Sequence, residues 1–294
     1  MSSNEASEAG QSTPLPGLLD EVEKLNLDPA DLAERERIVA GIRIAELERD
    51  PTLAGGDFSF GHLQAIHAYI LQDTYAWAGR PRTIGQDTTA FGMAHCRPEF
   101  LDGEIRRVFG AIDSNRPSLA DRDAAIATVA EHWGELTGVH PFRDGNSRSQ
   151  RVFFHRYLNA AGWDIDWRQL NAATVHAARH VAMATVDSSY LAAALAPGIK
   201  RLGESPAGSL AATQGDRDEH LSLDVFREML AHKRAGKSAA TFTPASREIG
   251  AHRTAHIAAR GTQRRAASSA GRQPDSSNSR EHNPRRRPSS DRER

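Results

Sequence analysis

Twelve consecutive residues bring together the groups needed for chemistry on a phosphorylated ligand: His140-Pro141-Phe142-Arg143-Asp144-Gly145-Asn146-Ser147-Arg148-Ser149-Gln150-Arg151. His140 closes an apolar helical run, and its imidazole can accept a proton near neutral pH. Pro141 breaks that helix, because proline cannot continue a hydrogen-bonded helix interior. A new helix opens near Asn146, a residue type suited to an N-cap. Gly145, just before it, permits backbone conformations other residues avoid and lets main-chain N–H groups approach a ligand. A Gly145-Asn146-Ser147 turn feeding a helix N-terminus is an anion nest with unpaired donors and a positive dipole end. Arg148 and Arg151, three apart, are expected to reach back over that nest, which suits a ligand with several phosphates. Asp144 would repel phosphate unless a hard divalent cation, Mg²⁺, bridged its carboxylate to the phosphate oxygens. Phe142 is expected to point inward and fix the loop. Base, carboxylate, nest and two arginines together describe phosphoryl or nucleotidyl transfer.

These residues need a scaffold, and the periodicity around them is helical. Ile38, Ile42 and Ala45 mark one face of a first helix; Leu63, Ile66, Ile70 and Thr74 mark a second that stops at Gly79. Leu101, Ile105, Val108 and Ile112 give a third, and Ile126, Val129, Trp133 and Leu136 a fourth. Phe153, Tyr157 and Ala160 give a fifth that ends before Gly162. Residues 171–186 and 189–195 read as further, Ala-rich helices, and 221–235 as one more through Leu223, Phe226, Met229 and Leu230. Only Pro81–Phe91 shows strand-like alternation; its Gly, Pro and Thr content favours a short hairpin or flap. The fold class expected is all-α, a helical bundle with that flap.

His140–Arg151 resembles the Fic signature, His-Pro-Phe-x-(Asp/Glu)-Gly-Asn-Gly-Arg-x-x-Arg, at every fixed position but one. Ser147 replaces the second glycine, keeps the backbone donor and can cap the helix. The segments His62-Leu63-Gln64-Ala65-Ile66-His67 and Tyr75-Ala76-Trp77-Ala78-Gly79-Arg80 are also similar to that family, and the likeness runs from about Asp31 to Leu195. The resemblance implies a protein adenylyltransferase that moves AMP from Mg-ATP to a Ser, Thr or Tyr hydroxyl of a target protein. His140 would be the catalytic base, and Asp144 would hold Mg²⁺. Gly145, Asn146 and Ser147 would cradle the phosphates, Arg148 would contact the β-phosphate region, and Arg151 the γ-phosphate. By position, Arg82–Phe91 would be the flap that clamps an extended target segment, with Arg82, Thr83, Ile84 and Phe91 as its docking residues.

Many Fic proteins carry an inhibitory glutamate followed by Gly or Asn, and no glutamate of this chain is so followed. The resemblance therefore implies a toxin whose brake is a separate small antitoxin protein that offers a glutamate to Arg151. It also offers DNA gyrase and topoisomerase IV as candidate targets. The rival readings are transfer of another nucleotide, of phosphocholine or of a γ-phosphate; a degenerate binding module; and an effector delivered by type IV secretion.

Composition bounds the rest. Cys96 is the single cysteine, which suits a reducing cytoplasm, and no apolar run is long enough to cross a bilayer. Met1–Pro16 lacks a basic start and an apolar stretch, so it does not read as a secretory signal, and a cytoplasmic location is expected. The net charge of -1 hides a segregation: from Ala251 to Arg294, eleven arginines face four acidic residues, a net +7. The expected organisation is a flexible leader over 1–30, a Fic domain over 31–198, a partly helical extension over 199–245 and a disordered Arg-rich tail over 246–294. The tail could solubilise the protein, bind nucleic acid or serve as a secretion address. His176 and His180 have a spacing that can bind zinc but read as a surface or packed pair, and His62 and His67 as packing and hydrogen-bonding residues.

Overall fold

The computed structural model describes residues 29–204 and 219–245, with side chains from Arg35 to Glu204 and from Ser222 to Ala245. Nearly all of the leader and the whole Arg-rich tail lie outside the described residues. The helices follow in the expected order: α1 (Pro29–Arg49), α2 (Phe60–Leu71), α3 (Leu101–Ser114), α4 (Arg122–Val139), α5 (Asn146–Asn159), α6 (Ala172–Thr185), α7 (Ser189–Leu195) and α8 (Glu219–Arg234). The fold is all-α with a small hairpin. Its core gathers around α4 and α5, where Trp133, Phe142, Phe153, Phe154 and Tyr157 are buried with the apolar faces of α2 and α3.

The spacing placed α3, α4 and α5 correctly, since each marked side chain but Ala160 is buried. The face of α1 is a correction. Ala40, Ile44 and Leu47 are buried, whereas Ile38 and Ile42 are 47% and 53% exposed. Both triplets have the same four-then-three spacing, so periodicity alone could not choose between them. The choice follows charge: Arg43 reaches Asp73 beyond the end of α2 at 2.6 Å, and Glu36 pairs with Arg148. The extent of α2 is a second correction. It ends at Leu71, and turns that bury Tyr75 and Trp77 carry the chain to Gly79.

The hairpin is shorter than expected and shifted towards the C-terminus: β1 (Thr89–Ala90) pairs antiparallel with β2 (Met93–Ala94). Its two turn residues, Phe91 and Gly92, both have positive φ (51° and 74°), the conformation tight hairpin turns require. A second small sheet escaped the sequence pattern: β3 (Trp163–Ile165) pairs with β4 (Ile199–Arg201). All three β3 side chains are buried, so its pattern has no period to read. The stretch beyond 198 thus pairs with the strand after α5, and α8 packs on α6.

Candidate active site

His140 is the C-cap just past α4, in the left-handed conformation (φ 47°, ψ 63°), which costs energy for any residue but glycine. Arg82 holds it there. Its buried guanidinium donates to the carbonyls of His140 (2.7 Å), Val139 (3.2 Å), Cys96 (2.7 Å) and Gln86 (2.9 Å). Two of those are carbonyls at the end of α4 that the helix itself leaves unpaired. Main-chain bonds add to the clamp: Arg82 N–H donates to Pro141 O and Cys96 N–H to Gly138 O, both at 2.8 Å.

Past the proline the loop is stitched by Asn146. Its Oδ1 accepts from Phe142 N–H (2.9 Å), and its Nδ2 donates to Phe142 O (2.8 Å) and lies 3.2 Å from His140 Nδ1. Asn146 is therefore not the N-cap; Gly145 is, at φ 73°. An added Cβ at Gly145 would lie 2.6 Å from Leu71 Cδ1 and 3.1 Å from His67 Nε2, so only glycine fits. His67 ties this turn to α2. It bonds Asp144 O at 2.8 Å through Nε2, accepts from Gly79 N–H at 2.8 Å through Nδ1, and stacks on Phe142 at 3.8 Å. Burial holds it neutral, down to about 4, as those two bonds require.

His140 is buried and its imidazole is held well below its ordinary value, first by burial and then by His95, Arg82, His180 and Arg179. At neutral pH the ring is uncharged. The ring of His95 stacks on it at 3.8 Å and 5°, and Thr88 Oγ1 lies 3.3 Å from its Nδ1.

The first turn of α5 presents main-chain N–H groups that no helix carbonyl can accept. Its two arginines have different partners. Arg148 is ion-paired with Glu36 of α1 and lies 3.6 Å from Asp144 Oδ2; Tyr75 O–H also donates to Glu36, at 2.5 Å. Burial works against the charge of Arg148, but Asp144 and Glu36 more than offset it, and the guanidinium is held protonated. Arg151 sits 4.9 Å from the Trp167 ring centroid. Ser147 Oγ accepts at 3.0 Å from Arg179 of α6, whose guanidinium also bonds Thr137 Oγ1 (3.0 Å) and Gln150 Oε1 (3.1 Å). Ser147, Arg151, Arg179 and Trp167 are among the residues around a cavity of about 40 Å³. Asp144 is part-exposed beside the nest, and among the described residues no cluster of three metal-ligating side chains occurs. One exposed carboxylate fits an ion of the Mg²⁺ type, which takes one or two carboxylates and fills its shell with water and phosphate oxygens.

The docking residues divide. Thr83 and Ile84 are exposed, Ile84 at 77%, as a docking edge needs. Arg82 and Phe91 are not placed for it. Arg82 is committed to the four carbonyls above, and Phe91 turns inward onto His180 (4.8 Å) and Phe226 of α8 (4.9 Å). His180, whose Nδ1 bonds His176 O at 2.8 Å, is part of that packing, as expected of this pair.

The Fic/DOC family model matches residues 57–158. A probable protein adenylyltransferase of Sinorhizobium fredii, y4lH, is 32% identical over 148 residues, covering 49% of this chain and 72% of that protein. The chain belongs to the Fic/DOC family. Among its Fic/DOC relatives, the protein adenylyltransferase VbhT of Bartonella schoenbuchensis is 29% identical over 55% of this chain, which spans only 32% of VbhT. The Fic domain of an effector from Bartonella sp. AR 15-3 superposes with a TM-score of 0.55 at 19% identity, covering 60% of this chain and 86% of that one. The Bartonella tribocorum protein BepC, solved with AMPPNP, gives 0.52 at 21%, covering 59% and 89%. At those identities the likeness is one of fold.

Four residues of this Fic/DOC site were not singled out in the sequence: Glu36, Thr88, His95 and Arg179. Arg179 left a trace, as a charge inside the apolar run Ala177–Ala184. The others left none, because their partners lie 7 to 112 residues away.

Proposed function

We propose that the chain is a protein adenylyltransferase that transfers AMP from ATP to a hydroxyl side chain of another protein. The reading is carried by one arrangement: a neutral His140 lies beside the first turn of α5, whose start has no side-chain cap, with Asp144, Arg148 and Arg151 at that turn. With Thr88 Oγ1 3.3 Å away as acceptor for a proton on His140 Nδ1, Nε2 would receive the proton of the attacking hydroxyl. Main-chain donors of Asn146 and Ser147 and the two arginines would neutralise charge on the phosphates as pyrophosphate leaves. A bound Mg²⁺ would sit on Asp144 and screen that charge further. The names of y4lH and VbhT support AMP as the group transferred.

The finer reading is a toxin with an antitoxin in trans, supported by the absence of a glutamate followed by Gly or Asn. Type II topoisomerases remain candidate targets by family resemblance. The decisive experiment incubates the protein and a His140→Ala variant with α-labelled and γ-labelled ATP in a bacterial lysate. Label on protein from the α position alone, and with the wild type alone, is the expected result. Label from the γ position would replace adenylylation with kinase chemistry.

A further inference from the structure

The hairpin carries two groups that meet the ring of His140. Thr88 and His95 flank the β1–β2 pair, and His95 N–H donates to Thr88 O at 3.0 Å. Both are buried. Thr88 Oγ1 lies between two imidazoles, 3.3 Å from His140 Nδ1 and 3.0 Å from His95 Nδ1. His95 Nε2 has no partner among the described residues. His180, the other histidine nearby, lies 6.2 Å from the His95 ring and bonds the His176 carbonyl through Nδ1, which fixes its own proton there.

The protons around His140 Nδ1 can be counted. The amide of Asn146 is oriented by Phe142 N–H, so the atom it turns towards His140 is a donor. Alone, that donor favours a lone pair on Nδ1 and a proton on Nε2, and a ring so protonated cannot take a proton there. Thr88 reverses this only as an acceptor. Its single proton must then go elsewhere, and His95 Nδ1 is the acceptor within reach. The chain reads His140 Nδ1–H to Thr88 Oγ1, Thr88 O–H to His95 Nδ1, with the remaining proton of His95 on Nε2.

We propose that Thr88 and His95 are positioning residues that keep the proton of His140 on Nδ1 and its lone pair on Nε2. The proposal rests on His140 being the base of the transfer reaction. It makes the hairpin part of the base: the element expected to hold the target segment also sets which nitrogen is ready to act.

The test is ¹⁵N imidazole spectroscopy of histidine-labelled protein beside steady-state AMP transfer. The wild type is expected to show His140 protonated on Nδ1. His95→Phe, which keeps the stacked ring, and Thr88→Val, which keeps the volume, are expected to move that proton to Nε2. Both should lower kcat roughly 10- to 100-fold with KM for ATP unchanged. Thr88→Ser and His95→Asn, which retain a hydroxyl and an oxygen acceptor, are expected to restore the Nδ1 signature and most of kcat. A wild-type His140 protonated on Nε2 overturns the proposal, and so does an unchanged tautomer in His95→Phe, whatever its activity. The spectrum is read without substrate, so failure of AMP transfer itself would be seen separately.

Discussion

At the scale of single residues, the position where the motif departs from its commonest form has acquired a partner. Ser147 offers a hydroxyl to Arg179, and that arginine also holds Thr137 and Gln150 and lies 5.2 Å from the Trp133 ring centroid. Arg179→Met would take a donor from Thr137 Oγ1, Ser147 Oγ and Gln150 Oε1, of which Gln150 Oε1 keeps the Trp133 Nε1–H. It is expected to cost about 2–4 kcal/mol of stability, read as a lower urea midpoint. Gly145 tolerates no side chain. Gly145→Ala combines a positive φ with a Cβ 2.6 Å from Leu71, so both activity and at least about 1–2 kcal/mol of stability should be lost. The grouping of residues at this scale was largely legible in the sequence, because the groups of the motif are contiguous. Asn146 shows the limit: its residue type suggests an N-cap, but its side chain turns back to hold the loop that carries His140.

At the scale of elements, the helices were legible wherever a single apolar stripe existed, and ambiguous where two stripes competed. In α1 the stripe was chosen by ion pairs to residues far along the chain, which no local pattern contains. That choice has a functional corollary. Glu36 occupies Arg148, one of the two arginines expected to meet the polyphosphate, so nucleotide must compete with α1 for it. Glu36→Gln should remove the competing charge and lower KM for ATP by a few-fold with little change in kcat. An unchanged KM would mean that Arg148 stays with α1 throughout the reaction. The hairpin was placed only approximately, since a two-residue strand carries almost no periodicity. The β3–β4 pair was missed for the same reason.

At the scale of the whole molecule, the described interior holds several neutral imidazoles. Burial lowers His67 to about 4 and both His95 and His180 to about 3. An unfolded histidine takes up its proton near pH 6.5, whereas these folded ones do so only much lower. As pH falls below 6.5 the unfolded chain therefore binds protons that the native state refuses, and stability drops; above pH 7 these groups contribute no slope. Each fully engaged histidine adds about 1.4 kcal/mol per pH unit, so three give about 4 kcal/mol per unit from about pH 5.5 to 5, and the slope eases towards pH 4 as folded His67 takes up its own proton. Urea unfolding at pH 7.5, 6.5, 5.5 and 5 should trace that fall, and His180→Phe should flatten it by about one proton.

The pairing of β3 with β4 and the seat of α8 against α6 bear on how such a catalytic unit can be moved between proteins. A graft cut at Gly198, where the motif-bearing helical pattern fades, would take β3 without the strand that zips it. It would also take the hairpin without Phe226, which backs Phe91. The transferable piece runs on through α8, and a fragment ending at 198 should precipitate where one ending at 245 stays monodisperse. Inheritance would then keep the extension with the motif: a module whose fastening lies downstream of its chemistry cannot be shuffled by its signature alone.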